Sequence, residues 1–207
     1  MSPAPTQRRS FVGRRLPANM SPATDANCLK LVDLSLLSRW GVKGREALAW
    51  LAAQGATAPT QDNRVARQSD GSLIARLSPG EALVLASVRD ARAAVAAAIE
   101  ALPPEGRGAC YPVPRRDSHC WFVACGTDTP RMLTKLCGVD LADESFSDGS
   151  VAQTSLARLS AIVIRNDFSR GTAFSILADS ASAEFLWECL IDAMAEFSGT
   201  ICGVESL

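Results

Sequence analysis

The sequence predicts an α+β fold made of two similar halves. Strand-like and helix-like segments follow one another in the same order in residues 30–102 and 117–199: strand, helix, two or three strands, helix. Three landmarks also recur at a spacing of 82 residues: Gly44 and Gly126, Leu51 and Leu133, and the two copies of Ala-Arg-Leu-Ser at 75–78 and 157–160. A shared order with a shared spacing is typical of an internal repeat. We therefore expect two pseudo-repeated α+β subdomains packed side by side.

The first half contains two predicted helices and several short strands. Its β-forming run Leu31–Trp40 leads to a glycine-rich turn, and the following helix, Arg45–Gln54, ends at Gly55. Further strands are predicted at 65–68, 72–76 and 82–86, and a second helix in ARAAVAAAIEAL, where apolar residues recur at helical spacing. Residues 103–116 contain four prolines and two glycines, which predicts a linker.

The second half repeats this order. The strand SHCWFVACG is followed by a helix that begins at Thr129 and Pro130 and ends at Gly138. The remaining elements are strands at 151–156, 161–165 and 174–177, a last helix at 180–197, and a tail at 200–207.

Composition and charge limit the classes of function. The 207 residues are 47% hydrophobic and 21% charged, which is typical of a globular protein with a buried core. The net charge of −1 argues against a nucleic acid or a membrane surface as a partner. No apolar run approaches the roughly 20 residues that cross a bilayer.

The N-terminus and the cysteines favour the cytoplasm. Arg8 to Val12 superficially resemble a twin-arginine export signal, but the apolar region of roughly 7–15 residues that such a signal needs does not follow. Four arginines stand among Pro, Ser and Asn, which predicts a disordered basic arm at residues 1–29. The seven cysteines are an odd number, and we expect reduced, mostly buried thiols.

One glycine-rich turn has two interpretations. Gly41-Val42-Lys43-Gly44 leads from a strand into a helix, where backbone N–H groups and a lysine could bind a phosphate. The turn lacks the spacing of a P-loop and a Ser or Thr after the lysine, and Asp128 lies in the corresponding turn of the second half. We favour a tight turn that requires glycine.

Residues suited to catalysis or metal binding are few. The only histidine, His119, precedes Cys120 and lies near Cys125, a combination that suggests a metal site. On a strand the two cysteines would point to opposite faces, so we expect His119 to pack rather than to bind a metal. We also expect a solvated loop, not an acid–base pair, from Asp140, Asp143, Glu144 and Asp148. The residues therefore predict no catalytic, cofactor-binding or metal site in this chain.

The last helix carries two apolar stripes. One consists of Leu186, Leu190, Ala193 and Phe197, and the adjacent one of Trp187, Ile191 and Met194. A surface helix usually has a single stripe. The second stripe is therefore either buried inside this chain or in contact with a partner protein, and its three residues are the candidate partner interface.

Several segments together resemble the gamma subunits of heterotetrameric sarcosine oxidases. They lie between about Leu31 and Phe197 and are DLSLLSRWGVKGREALAWLAAQG, NRVARQSDGSLIARLSPGEALVL, GVDL, VAQTSLARLSAIVIRND and EFLWECLIDAMAEF. The resemblance implies two ferredoxin-like subdomains similar to the folate-binding domains of the glycine-cleavage T-protein. It also implies a cytoplasmic complex whose alpha, beta and delta subunits carry FAD, FMN, NAD, tetrahydrofolate and zinc. Such complexes demethylate sarcosine to glycine and pass the one-carbon unit to tetrahydrofolate or release formaldehyde.

The sequence departs from the folate enzymes of this superfamily. T-proteins carry Arg-Thr-Gly-Tyr-Thr-Gly-Glu, whose acid helps to hold the pterin, whereas the matching stretch here, Gln153–Leu159, ends in an apolar residue. The Asn-Gly-Gly element of their catalytic half is also missing. The resemblance thus implies a non-catalytic gamma subunit. The alternatives are a subunit of an N-methylglutamate dehydrogenase-type complex and a free-standing folate-dependent aminomethyltransferase-like protein.

Overall fold

Two β-sheets and two layers of helices make up the described chain. The computed structural model describes residues 10–13, 16, 28–88, 94–168 and 171–207. In chain order the elements are β1 (Lys30–Asp33), β2 (Arg39–Lys43), α1 (Ala47–Ala53), β3 (Arg64–Arg67), β4 (Leu73–Ser78), β5 (Glu81–Leu85), α2 (Ala94–Glu100), β6 (Tyr111–Pro114), β7 (His119–Cys125), α3 (Thr129–Leu133), β8 (Val151–Leu156), β9 (Leu159–Arg165), β10 (Ala173–Asp179), α4 (Ala183–Met194) and β11 (Thr200–Cys202). Short 3₁₀ helices lie at Ser180–Ser182, Ala195–Phe197 and Val204–Ser206. Within these ranges no helix is long and apolar enough to cross a membrane.

The strand order confirms the internal repeat. The first sheet has the order β3-β4-β5-β2-β6, and the second has the order β8-β9-β10-β7-β1-β11. Each half therefore consists of a strand, a helix, three strands, a helix and a last strand: β2 to β6 with α1 and α2 in the first half, and β7 to β11 with α3 and α4 in the second. Corresponding strands of the two halves take corresponding positions in the two sheets. The difference is β1, which lies between β7 and β11, antiparallel to the first and parallel to the second. The predicted α+β fold of two pseudo-repeated subdomains is confirmed.

Alternating side chains along the strands produce four layers. On β7, Trp121 and Val123 point toward the first sheet, whereas Phe122 and Ala124 point toward α3 and α4. The strands of the first sheet alternate in the same way, so that Ile74 on β4 packs with α1 and α2. The two sheets therefore stack face to face, and a pair of helices covers the outer face of each.

The two sheets are also joined by hydrogen bonds along one edge. The Val65 N–H donates to Gly149 O at 2.8 Å, and the Val151 N–H donates to Asn63 O at 3.0 Å, so that β3 and β8 meet. The opposite edge of the first sheet is β6, YPVP, whose two prolines have no N–H to offer a further strand. One edge is thus closed by pairing and the other is blocked by proline.

Three segments contain strands that the sequence did not predict as separate strands, because the strands they pair with are distant in sequence. The run Leu31–Trp40 supplies two strands, β1 and the start of β2, which belong to different sheets. The segment 103–116, predicted as a linker, contains β6, which pairs with β2. The predicted tail contains β11, which pairs with β1.

The repeated Ala-Arg-Leu-Ser is not part of the structural repeat. The copy at 75–78 ends β4, whereas the copy at 157–160 forms the turn from β8 into β9. In strand order β4 corresponds to β9, so the two copies are not equivalent. Leu51 and Leu133, by contrast, are both fully buried in the equivalent helices α1 and α3.

The predicted disordered arm at 1–29 lies mostly outside the described residues. Within them, Val12 is fully buried in the core that α3 and α4 cover. The Ser10 hydroxyl donates to the Asp33 carboxylate, and the Arg39 guanidinium lies 6.0 Å from the centre of the Phe11 ring. The prediction of disorder is therefore wrong at 10–13, because an apolar side chain there completes the core.

Candidate functional site

A largely apolar cleft lies where the chain leaves β1 and crosses to the first sheet. We call it the β1–β2 cleft; its volume is about 340 Å³, and its apolar walls are formed by Leu16, Leu34, Leu36, Leu37, Val88 and Val204. The side chains of Leu36 and Val204 are 51% and 44% exposed. The sequence did not predict this cleft, because Leu34, Leu36 and Leu37 lie in the run that was interpreted as one β-forming segment.

Arg39 fixes the loop that carries Leu36. Its side chain is fully buried, and its Nη1 donates to Ser35 O and Leu37 O, both at 2.9 Å. Its Nε donates to His119 O at 2.8 Å, and its Nη2 donates to Arg116 O at 2.7 Å. A guanidinium has five donors and no acceptor, so a ring of carbonyl oxygens satisfies it in the interior. The wall of the cleft is therefore tied to the start of β7.

His119 belongs to a hydrogen-bonded network at the start of β7. Its Nε2 lies 2.9 Å from Arg115 Nη1, and its Nδ1 lies 2.8 Å from Ser118 Oγ. Because a guanidinium only donates, Nε2 is the acceptor, and Nδ1 carries the proton that is donated to the serine. Burial, and then the charges of Arg115 and Arg39, lower the pKa of His119 to about 4, so the ring is neutral at pH 7.

The glycine-rich turn at 41–44 is a tight turn, as favoured from the sequence. Gly44 has φ +132°, and a Cβ on it would lie 2.0 Å from Ala109 O. Lys43 Nζ lies 3.3 Å from Glu81 Oε2, and Arg115 Nη2 donates to the other oxygen of that carboxylate at 2.6 Å. The lysine is thus paired with an acid of the neighbouring strand.

Cys120 and Cys125 point to opposite faces of β7, as predicted. The first packs with the core beneath α3 and α4, and the second packs between the sheets. Burial raises the pKa of each thiol to about 11, so neither is a thiolate at neutral pH. Among the described residues, no group of three or more His, Cys, Asp or Glu side chains is placed to hold a metal ion.

The acidic segment at 140–148 supports the fold around Arg165. The side chain of Arg165 is buried, its Nη1 donates to Asp143 Oδ1 at 2.7 Å, and its Nη2 donates to Asp167 Oδ2 at 2.9 Å. Asp140 accepts hydrogen bonds from Ser145 Oγ and from the backbone, which lower the pKa of its carboxyl. Asp143 thus pairs with a buried cation, and Asp140 stabilises a turn.

Two of the three candidate interface residues on α4 are buried in this chain. Trp187 is fully buried, and its ring meets the edge of Phe122 with centroids 4.9 Å apart. Met194 is also buried, and Ile191 is half-buried against the same core. The interface prediction is therefore wrong for Trp187 and Met194: α4 packs against α3 and shares one core with the second sheet, which buries both residues. The large apolar side chain that α4 exposes is Phe185.

The stretch that the sequence comparison above set against the pterin-binding run of T-proteins, Gln153–Leu159, is a hairpin in this chain. Gln153 Nε2 donates to Leu77 O at 2.7 Å and so ties β8 to the first half. Ala157 and Arg158 form the turn, and Leu159 packs against the core beneath α3 and α4. An amino-pyrimidine edge needs a carboxylate for paired hydrogen bonds. The apolar side chain of Leu159 carries no such carboxylate.

Comparisons with known proteins agree with this architecture. No protein-family model matches the sequence, and no curated protein matches it. A chain of the heterotetrameric sarcosine oxidase from Corynebacterium sp. U-96, solved in complex with pyrrole 2-carboxylate, matches with a TM-score of 0.71 and 23% identity. The match covers 92% of this chain and 96% of that one. The two chains share one fold.

A glycine-cleavage enzyme has the same fold. The aminomethyltransferase T of the glycine cleavage system from Bartonella henselae matches with a TM-score of 0.63 and 14% identity, over 86% of this chain and 49% of that one. This chain thus spans about half the length of the aminomethyltransferase. The T-protein-like fold expected from the sequence is confirmed.

Proposed function

We propose that this chain is the non-catalytic gamma subunit of a heterotetrameric sarcosine oxidase-type complex. The proposal rests on the match over 92% of this chain and 96% of one chain of such an oxidase, so the two correspond over nearly their whole lengths. The segments that resemble gamma subunits in sequence support the same assignment.

In this proposal the chemistry takes place on the other subunits. The alpha, beta and delta subunits bind FAD, FMN, NAD, tetrahydrofolate and zinc and demethylate sarcosine to glycine in the cytoplasm. The gamma chain contributes contact surface and stability. The engagement of His119 with Arg115 and Ser118 supports a structural role, because both of its ring nitrogens are occupied within the fold.

Co-purification tests this assignment. The affinity-tagged chain, expressed in its native host, is expected to bring down larger flavin-containing subunits, and the complex is expected to oxidise sarcosine. A complex that oxidises N-methylglutamate in preference to sarcosine would assign the chain to the other type of assembly. Recovery of the chain alone would contradict both.

A folate-dependent aminomethyltransferase is the second candidate, supported by the match to aminomethyltransferase T. The purified chain distinguishes the two. We expect no yellow chromophore and no tetrahydrofolate binding at submillimolar concentration, because Leu159 occupies the place of the pterin-binding acid. Submillimolar binding in a calorimetric titration would favour the transferase.

A further inference from the structure

Two exposed apolar side chains line the β1–β2 cleft. Leu36 is 51% exposed and Val204 is 44% exposed. Leu36 belongs to the loop that follows β1, and Val204 opens the 3₁₀ helix that follows β11. With the buried Leu34 and the half-buried Leu37 they make one concave apolar surface. A continuous apolar surface of this kind indicates a site of interaction, whereas single exposed apolar residues do not.

The loop that carries Leu36 is held in place within the fold. Nη1 of the buried Arg39 donates to Ser35 O and Leu37 O, the carbonyl oxygens on either side of Leu36. The Leu37 N–H also donates to Leu34 O at 2.9 Å, which closes a turn around Leu36. An apolar side chain on a fixed loop loses little backbone entropy when a partner covers it. Leu36 therefore has the properties of an interface anchor.

The charged side chains that line the cleft are acidic. Among the described residues they are Asp33 and Glu205. The Asp33 carboxylate accepts hydrogen bonds from the Ser10 hydroxyl and the Ser35 N–H, so it is engaged within the fold. Glu205 is exposed and follows Val204 at the rim. Electrostatic complementarity therefore favours a partner that presents a positive charge next to an apolar group.

We propose that the β1–β2 cleft is the docking site for a segment of another subunit of the oxidase-type complex. The segment places an apolar side chain in the cleft and a lysine or arginine beside Glu205. A protein segment fits better than a small molecule, because Leu36 and Val204 extend the apolar surface beyond the cavity and into solvent. This inference rests on the proposed function, which provides the partner subunit.

Photo-crosslinking in the assembled complex identifies the occupant of the cleft. The photoreactive residue p-benzoylphenylalanine replaces Leu36 in the affinity-tagged chain, the complex is purified from the native host and irradiated, and the cross-linked peptides are identified by mass spectrometry. We expect cross-links to one segment of another subunit, in which a lysine or arginine lies within a few residues of the apolar side chain. Cross-links only to this chain or to a second copy of it, or none in an intact complex, would overturn the proposal.

Substitutions at the rim measure the contribution of the cleft to assembly. Leu36→Asp removes the apolar contact and adds a negative charge, so it should reduce the flavin recovered with the tagged chain at least about tenfold. Glu205→Lys reverses the charge at the rim and should also reduce the recovery. Because both residues are exposed, the Tm of the isolated chain should change by no more than about 2 °C. Phe185→Asp introduces the same charge at a residue of α4 that is 50% exposed, and should keep the wild-type recovery.

The outcomes separate this inference from the proposed function. Wild-type recovery with both Leu36→Asp and Glu205→Lys would overturn the docking site alone, and so would an equal loss with Phe185→Asp. A large fall in the Tm of isolated Leu36→Asp would show that this chain itself covers the leucine, and would also overturn the docking site. Failure of the wild-type chain to bring down any flavin-containing subunit would overturn the proposed function and the docking site with it.

Discussion

Gly44 and Gly126 occupy the same position in the two halves of the molecule. Each directly follows the strand that opens its half, and their φ angles are +132° and +121°. A Cβ would lie 2.0 Å from Ala109 O in the first turn and 2.5 Å from Cys28 O in the second. Both turns therefore bring a carbonyl against the glycine, in a conformation that other residues rarely adopt.

Substitution of either glycine is expected to destabilise the protein. Gly126→Ala should lower the free energy of unfolding by at least about 2 kcal/mol, because left-handed strain adds to the collision with a backbone oxygen. Urea unfolding measures the loss. Gly138→Ala is the matched control, since no atom lies within 4 Å of the added methyl group. Equal losses in the two variants would contradict the account.

Trp187 is expected to contribute to the stability of the folded chain and not to the binding of a partner. Trp187→Ala should cost about 3–5 kcal/mol, because the fully buried ring and its contact with Phe122 are lost. Phe185→Ala on the same helix removes a side chain of a residue that is 50% exposed and should change stability by no more than about 0.5 kcal/mol. A Trp187→Ala chain of wild-type stability that fails to co-purify with partners would restore the interface role.

His119 makes the protein less stable in acid. Its pKa is lowered to about 4 in the folded state, whereas an unfolded histidine has a pKa of about 6.5. Between these values the unfolded state binds more protons than the folded state, so stability rises with pH. The contribution is present in full above about pH 6.5 and is lost as the pH falls toward 4. Because the ring is partly exposed, we expect it to total about 1–2 kcal/mol.

Urea unfolding between pH 7.5 and pH 4.5 measures this contribution. The variant His119→Gln should lose that part of the pH dependence and keep the part due to carboxylates. Superimposable pH profiles for the wild type and the variant would refute the assignment. In the assembled complex, His119→Ala is expected to leave amine oxidation nearly unchanged, and a hundredfold fall in turnover with assembly intact would show a catalytic role.

The turn between β8 and β9 can be stabilised. Ala157 and Arg158 have φ angles of 50° and 65°, and two-residue hairpin turns of this kind favour Asn-Gly. Arg158→Gly should raise the free energy of unfolding by about 1 kcal/mol, because glycine adopts this conformation without strain and the exposed arginine makes no hydrogen bond among the described residues. Arg158→Ala retains the strain and should give no gain in the same urea titration. A gain in both variants would point to the loss of the arginine charge instead.

Local patterns in the sequence determined most of the elements. The apolar spacing of Val151–Leu156 and of residues 180–197 predicts a strand and a helix that the structure contains with little change. The turn at Gly44 and the opposite orientation of Cys120 and Cys125 also follow from the sequence. These features depend on backbone conformation and side-chain alternation within a few residues, so short-range rules suffice for them.

Tertiary structure alone decided which strands pair and which side chains remain exposed. The sequence of β1 does not itself indicate that this strand lies between β7 and β11. The prolines of 103–116 predict a linker, yet this segment contains β6, whose partner strand β2 lies about 70 residues earlier. Trp187 and Leu36 are both apolar residues in apolar runs, yet one is fully buried and the other is 51% exposed. The reason is physical: pairing and burial depend on which distant surface packs against a segment, and the segment's own sequence does not contain that information.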